Sequence, residues 1–148
     1  MTKAVNIRRW LGIVLLVLSP WSAADYLGLT GIGVKDLEVS KAFYTEVLGM
    51  RVARTYELGY LNEIVLVYPE GKGGSLVLMN WPNDRERVYD GSDVKLVFEV
   101  ADPAALIEKI RARELKIDRE AGPIEALPGA IVALARDPDN YVVELLKR

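Results

Sequence analysis

The sequence predicts an α+β domain built from tandem βαβββ modules, whose strands curl into a cup-shaped mixed sheet with the helices outside. Three observations carry this expectation. Strand and helix signals run through the chain in one order and then start again. The two halves superimpose at an offset of 66, so that Ile32, Val34 and Asp36 correspond to Phe98, Val100 and Asp102. The third is size: 148 residues, 51% of them hydrophobic, suffice for one globular domain and are too few for two.

The first module spans about 27–81. Leu27 to Val34 is a Gly-rich strand, and Asp36 is a good N-cap residue. Leu37 to Leu48 reads as a helix with Val39, Phe43 and Val47 on one stripe and Gly49 as its stop. Strands follow at Met50–Glu57, Leu61–Tyr68 and Ser75–Trp81, with Pro69 to Gly74 turning the last pair.

A polar link, 82–92, leads to the second module at about 93–147. Val94 to Val100 is its first strand. Asp102-Pro103 then caps a helix that runs to about Arg113, with Leu106, Ile107 and Ile110 buried. Strands at Lys116–Ala121, Ala130–Arg136 and Tyr141–Lys147 complete it, punctuated by Gly122-Pro123, Pro128-Gly129 and the turn Asp137-Pro138-Asp139-Asn140.

Composition excludes much chemistry. The chain has no histidine and no cysteine. That removes zinc fingers, Cys–His and Ser–His nucleophile systems, haem and iron–sulfur ligation, disulfides and thiol redox chemistry. A metal site would need oxygen ligands alone, which suit Mg, Ca or Mn. With 19 basic and 21 acidic residues, a net of -2, the chain lacks the clustered basic surplus of a nucleic-acid binder.

Residues 1–24 read as a signal peptide. Lys3, Arg8 and Arg9 make a basic start, Trp10 to Leu18 is apolar, and Ser22-Ala23-Ala24 supplies small residues for cleavage. The run is shorter than the ~20 apolar residues of a membrane span, so an uncleaved anchor is the lesser alternative and the one route to a membrane. Removing 1–24 leaves 16 basic against 21 acidic residues, a net of -5. The expectation is an exported domain, periplasmic in a Gram-negative bacterium, that stands on its core without disulfides.

The segment Gly31-Ile32-Gly33-Val34-Lys35-Asp36-Leu37 through Phe43-Tyr44, continuing to Val47-Leu48-Gly49, resembles the opening module of the vicinal oxygen chelate superfamily. Leu96 to Asp102 and Asp137-Pro138-Asp139-Asn140-Tyr141-Val142-Val143-Glu144-Leu145 are similar to its second-module signature. That superfamily includes glyoxalase I, the extradiol dioxygenases and the bleomycin and fosfomycin resistance proteins. In its metal-dependent members each module gives a ligand from its first strand and one from its last. The resemblance places those positions on Leu29, near Leu76, on Lys95 and on Glu144, of which Glu144 alone keeps a ligand type. It therefore implies the fold without the divalent metal, and no cofactor is expected.

Strand alternation turns Leu29, Gly31 and Gly33 into the cup, together with Lys95, Val97 and Glu99 and, on the last strand, Glu144. Leu76, Asn80 and Trp81 join the expected ligand pocket, with Asn80, Trp81 and Tyr60 at the rim. Lys95 is either an anchor, acid or nucleophile for a ligand or half of an ion pair with Glu144 that replaces the metal. Lys95 and Glu144 are thus the candidate catalytic residues. The leading expectation is a small-molecule binder acting as a homodimer. A glyoxalase-like lyase or isomerase, and a dimeric interaction module with a filled cup, are the alternatives.

Overall fold

The computed structural model describes residues 27–71 and 73–148, so the segment read as a signal peptide lies outside it. The order is β1 (Leu29–Gly33), α1 (Leu37–Ala42) running into a π-helical turn (Phe43–Val47), β2 (Arg51–Glu57), β3 (Asn62–Val67) and β4 (Ser75–Asn80). It repeats as β5 (Lys95–Glu99), α2 (Pro103–Arg111), β6 (Ile117–Pro123), β7 (Ile131–Arg136) and β8 (Val142–Lys147). The strands form two four-stranded mixed sheets, β1-β4-β3-β2 and β5-β8-β7-β6. In each, the first strand lies parallel to the fourth and the other pairs are antiparallel. The domain is α+β, as the repeat predicts.

Local chemistry sets the helices. Asp36 Oδ1 accepts from the N–H groups of Glu38 and Val39, and Asp102 Oδ1 accepts from that of Ala105, with Pro103 pre-shaped for the first turn. Gly49, at φ +73, supplies the left-handed stop after the π turn. One detail of the expected stripe is corrected: Val39 is 51% exposed and Ser40 is buried instead. The buried face runs Ser40, Phe43, Tyr44, Val47, which is one helical face, and Ser40 tolerates burial because its hydroxyl has a carboxylate partner.

One apolar cluster serves both modules. Ile32, Leu66 and Leu78 from the first sheet meet Phe98, Val143 and Leu145 from the second, with Phe43, Tyr44, Ile107 and Ile110 from the helical segments. Tyr44 and Tyr68 of the first module pack their rings on Phe98 of the second, at centroid distances of 6.2 and 6.5 Å.

A polar latch reinforces that seam. Asp137 and Asp139, read from sequence as a turn signal, are buried at 2% and 7% exposure. Asp137 Oδ2 accepts from the Tyr44 hydroxyl (2.6 Å), and its Oδ1 accepts from the N–H groups of Asp139 and Tyr141. Asp139 accepts from the Ser40 hydroxyl and the Lys35 N–H, both at 2.8 Å. The Tyr141 hydroxyl accepts from the Gly33 N–H and donates to the Gly33 carbonyl, capping the free edge of β1. The second module's β7–β8 turn is thereby fastened to the first module's helix and first strand. Burial pushes the Asp137 carboxyl up to about 6, against the pull of its hydrogen bonds.

Candidate functional site

Alternation along β5 and β8 brings the candidate residues to one sheet face. Leu96 and Phe98 turn toward the core, leaving Lys95, Val97 and Glu99 on the opposite, exposed side. On β8, Val143 and Leu145 enter the core and Val142, Glu144 and Leu146 share the face of Lys95. The parallel register sets Lys95 beside Val142 and Val97 beside Glu144. From there Lys95 Nζ donates to Glu144 Oε2 across 2.7 Å. The carboxylate side chain is 17% exposed and the lysine 53%, so the pair lies at the face with its ammonium end open to solvent. Glu99 does not join it. Glu99 lies 3.4 Å from Arg148 Nη1 at the far end of the strand, where both side chains are exposed.

On the first sheet Leu29 is 51% exposed on the cup face. Gly31 shares that face, and a Cβ there would stand 2.8 Å from Met79 Cε. A Cβ on Gly33 would meet Tyr89 and Trp81 at 3.4 to 3.5 Å. These glycines therefore leave space that neighbouring side chains already fill. Leu76 does not share that face: it pairs with Thr30 and is 4% exposed, so the same-face neighbours of Leu29 and Gly31 are Ser75 and Val77, yet Leu76 still borders the cavity that Lys95 lines.

Asn80 and Trp81 lie at the end of the first sheet, with the Trp81 ring beside Gly33. The Asn80 amide donates to the Val34 and Lys35 carbonyls at 3.0 and 3.1 Å, closing the end of the first sheet. The Trp81 backbone N–H donates to the Tyr89 hydroxyl, and the Arg87 guanidinium sits 3.9 Å from the Trp81 ring centre. Both line a cavity of about 470 Å³ with Lys35, Arg85, Arg87 and Tyr89. Tyr60, at 66% exposure, lines neither cavity described here.

A cavity of about 720 Å³ lies along β5. Lys95, Val97 and Glu99 border it with Met50, Tyr68, Leu76 and Phe98, but Leu29, Gly31 and Gly33 do not. The pocket read from sequence as one space is thus divided in a single chain. The two sheets remain separate, each with one cup face and two edge strands, β1 and β2 in the first and β5 and β6 in the second. Tyr68 is the residue that sequence reading missed. Its hydroxyl is buried with no partner among the described residues, and burial pushes it up to about 12. A tyrosine ending an apolar strand gives no sign of that.

Among the described residues no three carboxylates converge as a metal cluster. At the four positions where the resemblance puts ligands, Leu29, Leu76, Lys95 and Glu144, the one carboxylate is Glu144, already engaged by an ammonium. Such a set does not fit a divalent cation. A positive ion beside the Lys95 ammonium meets repulsion on the order of 4 kcal/mol per unit charge at ~4 Å near a protein surface.

The comparisons with known proteins place this geometry. Residues 26–145 match the Glyoxalase/Bleomycin resistance protein/Dioxygenase superfamily, and the chain belongs to that superfamily. It is 35% identical over 124 residues to a lactoylglutathione lyase of Salmonella typhimurium, covering 80% of this chain and 89% of that protein. Among solved structures it resembles a trypanothione-dependent glyoxalase I of Leishmania major, with TM-score 0.68, 29% identity and coverage of 84% and 87% of the two chains. It also resembles an antibiotic-binding protein of a Streptomyces species, with TM-score 0.62, 25% identity and coverage of 84% and 97%.

Proposed function

We propose that this glyoxalase-fold domain binds a small organic molecule in a cup that works without a divalent metal and is completed by a second copy of the chain. The observation that carries the reading is the 2.7 Å contact between Lys95 and Glu144. It places a fixed cation against the one carboxylate at the positions where the resemblance puts metal ligands. The free edges support a dimer. Strand β5 bonds to β8 through Val94 and Val100 at its two ends, so the parallel alternation turns the backbone groups of Lys95, Val97 and Glu99 to the open side. Leu29 and Val97, both about half exposed, are apolar surface that a partner would cover. The likeness to an antibiotic-binding protein agrees with a binding role.

A second reading rests on the relatives named lactoylglutathione lyase. In it Lys95 and Glu144 carry a metal-independent lyase or isomerase step. One experiment separates the two. The full chain is assayed for turnover of the hemithioacetal of methylglyoxal and glutathione, and for thermal stabilisation by a panel of small aromatic and amphiphilic compounds, with chelator present. Stabilisation without turnover, in a dimeric sample, is the expected result. Turnover that is lost in Lys95→Ala and Glu144→Ala while the fold persists would establish the enzyme reading instead.

The basic start and apolar run of residues 1–24 support export to the periplasm or cell exterior. The intact mass of the protein recovered from the producing cell tests this: a chain beginning at Asp25 is expected, and a retained Met1 in a soluble cytoplasmic fraction would overturn it.

A further inference from the structure

We infer that the cavity beside Trp81 is a second binding site, separate from the cup, for a small planar organic molecule carrying a carboxylate or phosphate group. The cavity, about 470 Å³, opens where the link between the modules folds back over the end of β4. It is of the size that holds small ligands. Its charge runs against that of the chain. The whole chain carries a net of -2, yet this wall bears Lys35, Arg85 and Arg87 against the single carboxylate of Asp84. Lys35 and Arg85 take part in no ion pair among the described residues. Three cations gathered in a concave wall raise the local concentration of an anion and are a standing cost until one arrives.

Arg87 is pre-set for that role. Its guanidinium lies 3.9 Å from the Trp81 ring centre, and its Nε is held by Asp84 Oδ2 at 3.2 Å. These contacts fix the plane of the group and leave its two terminal nitrogens without an acceptor among the described residues, which is the fork that a carboxylate or phosphate fits. The Trp81 backbone N–H donates to the Tyr89 hydroxyl (3.1 Å), and the two rings lie 6.5 Å apart. Their ring edges, with Pro82 and Val88, supply the apolar wall for a flat ligand body.

The test is a titration of the ¹⁵N-labelled full chain at low salt, following the Trp81 indole and the Arg85 and Arg87 Nε signals. Benzoate and phenyl phosphate are the two anionic probes, and benzamide is the neutral match. Saturable shifts confined to these signals are expected with at least one anion, and the stronger of the two identifies the head group. Benzamide and the Lys35→Gln/Arg85→Gln variant should each bind at least tenfold more weakly. Both substituted side chains are exposed, so the variant should keep its dispersed spectrum. Benzamide binding as tightly as benzoate, an unchanged affinity in the variant, or no saturation up to roughly 10 mM would overturn the site. Failure here leaves the cup reading untouched, because Lys95 and Glu144 do not line this cavity.

Discussion

The Tyr44 hydroxyl donates to Asp137 Oδ2 across 2.6 Å, tying the π turn of the first module to the β7–β8 turn of the second. Both groups are buried, so neither can exchange its partner for water. Removing the donor leaves a buried carboxyl oxygen short of a bond. Tyr44→Phe should therefore cost about 1–3 kcal/mol of stability, read as a lower urea midpoint at constant slope. An unchanged midpoint would show that the latch does not hold the modules together.

Asp137 also predicts a pH dependence with a definite sign. Its carboxyl is raised from an ordinary 3.8 to about 6, chiefly by burial. Between those values the native state holds a proton that the unfolded chain has lost. The stability from this group is fully present below 3.8 and is lost as pH rises through about 6. The span is about 3 kcal/mol at 1.36 kcal/mol per unit. Asp90, held low by the Asn140 amide, and Asp118, held low by Lys116 and then Arg136, act in the opposite sense and at lower pH. The difference in urea midpoint between the wild type and Asp137→Asn should shrink as pH falls from 7 to 4.5 if the carboxamide substitutes for the protonated acid. A difference independent of pH would contradict the assignment.

Gly91 is where the link passes the Tyr141 ring. A Cβ there would stand 2.3 Å from the ring atoms, whereas one on Gly74 would meet nothing within 4 Å. Gly91→Ala should destabilise by about 1–3 kcal/mol, because a buried tyrosine bonded to Gly33 cannot step aside freely. Gly74→Ala should lie within about 0.5 kcal/mol of wild type. Thermal melts of the two variants check the contrast.

Lys95 and Glu144 should matter little for folding. The ammonium end is 53% exposed, so solvent screens the pair. A double-mutant cycle of Lys95→Met and Glu144→Gln should give a coupling below about 1 kcal/mol. A coupling of several kcal/mol would make the pair a structural strut and weaken its case as part of a ligand site.

The repeat made the fold readable. An offset that aligns Asp36 with Asp102 places both helix caps and therefore both modules, and strand alternation correctly put Lys95 and Glu144 on one face. What sequence did not reveal depends on how the modules meet. Leu76 looks like any alternate strand residue, and only the pairing with Thr30 shows that it faces the core. Asp137 and Asp139 fit an exposed turn equally well until the helix of the other module packs against them and supplies Tyr44 and Ser40. Glu99 shares its face with Lys95, but Arg148 at the chain end takes it. Pairings between residues distant in sequence leave no local pattern.

The most direct test of the metal-free cup is the metal content of the full chain purified without chelator, measured together with its melting temperature in Mg, Mn, Ni and Zn. Far less than one metal per chain and no shift with any of the four ions are expected, in wild type and in Glu144→Gln alike. One metal bound per cup, lost on Glu144→Gln and accompanied by a higher melting temperature, would contradict it and make metal-dependent lyase chemistry the function to pursue.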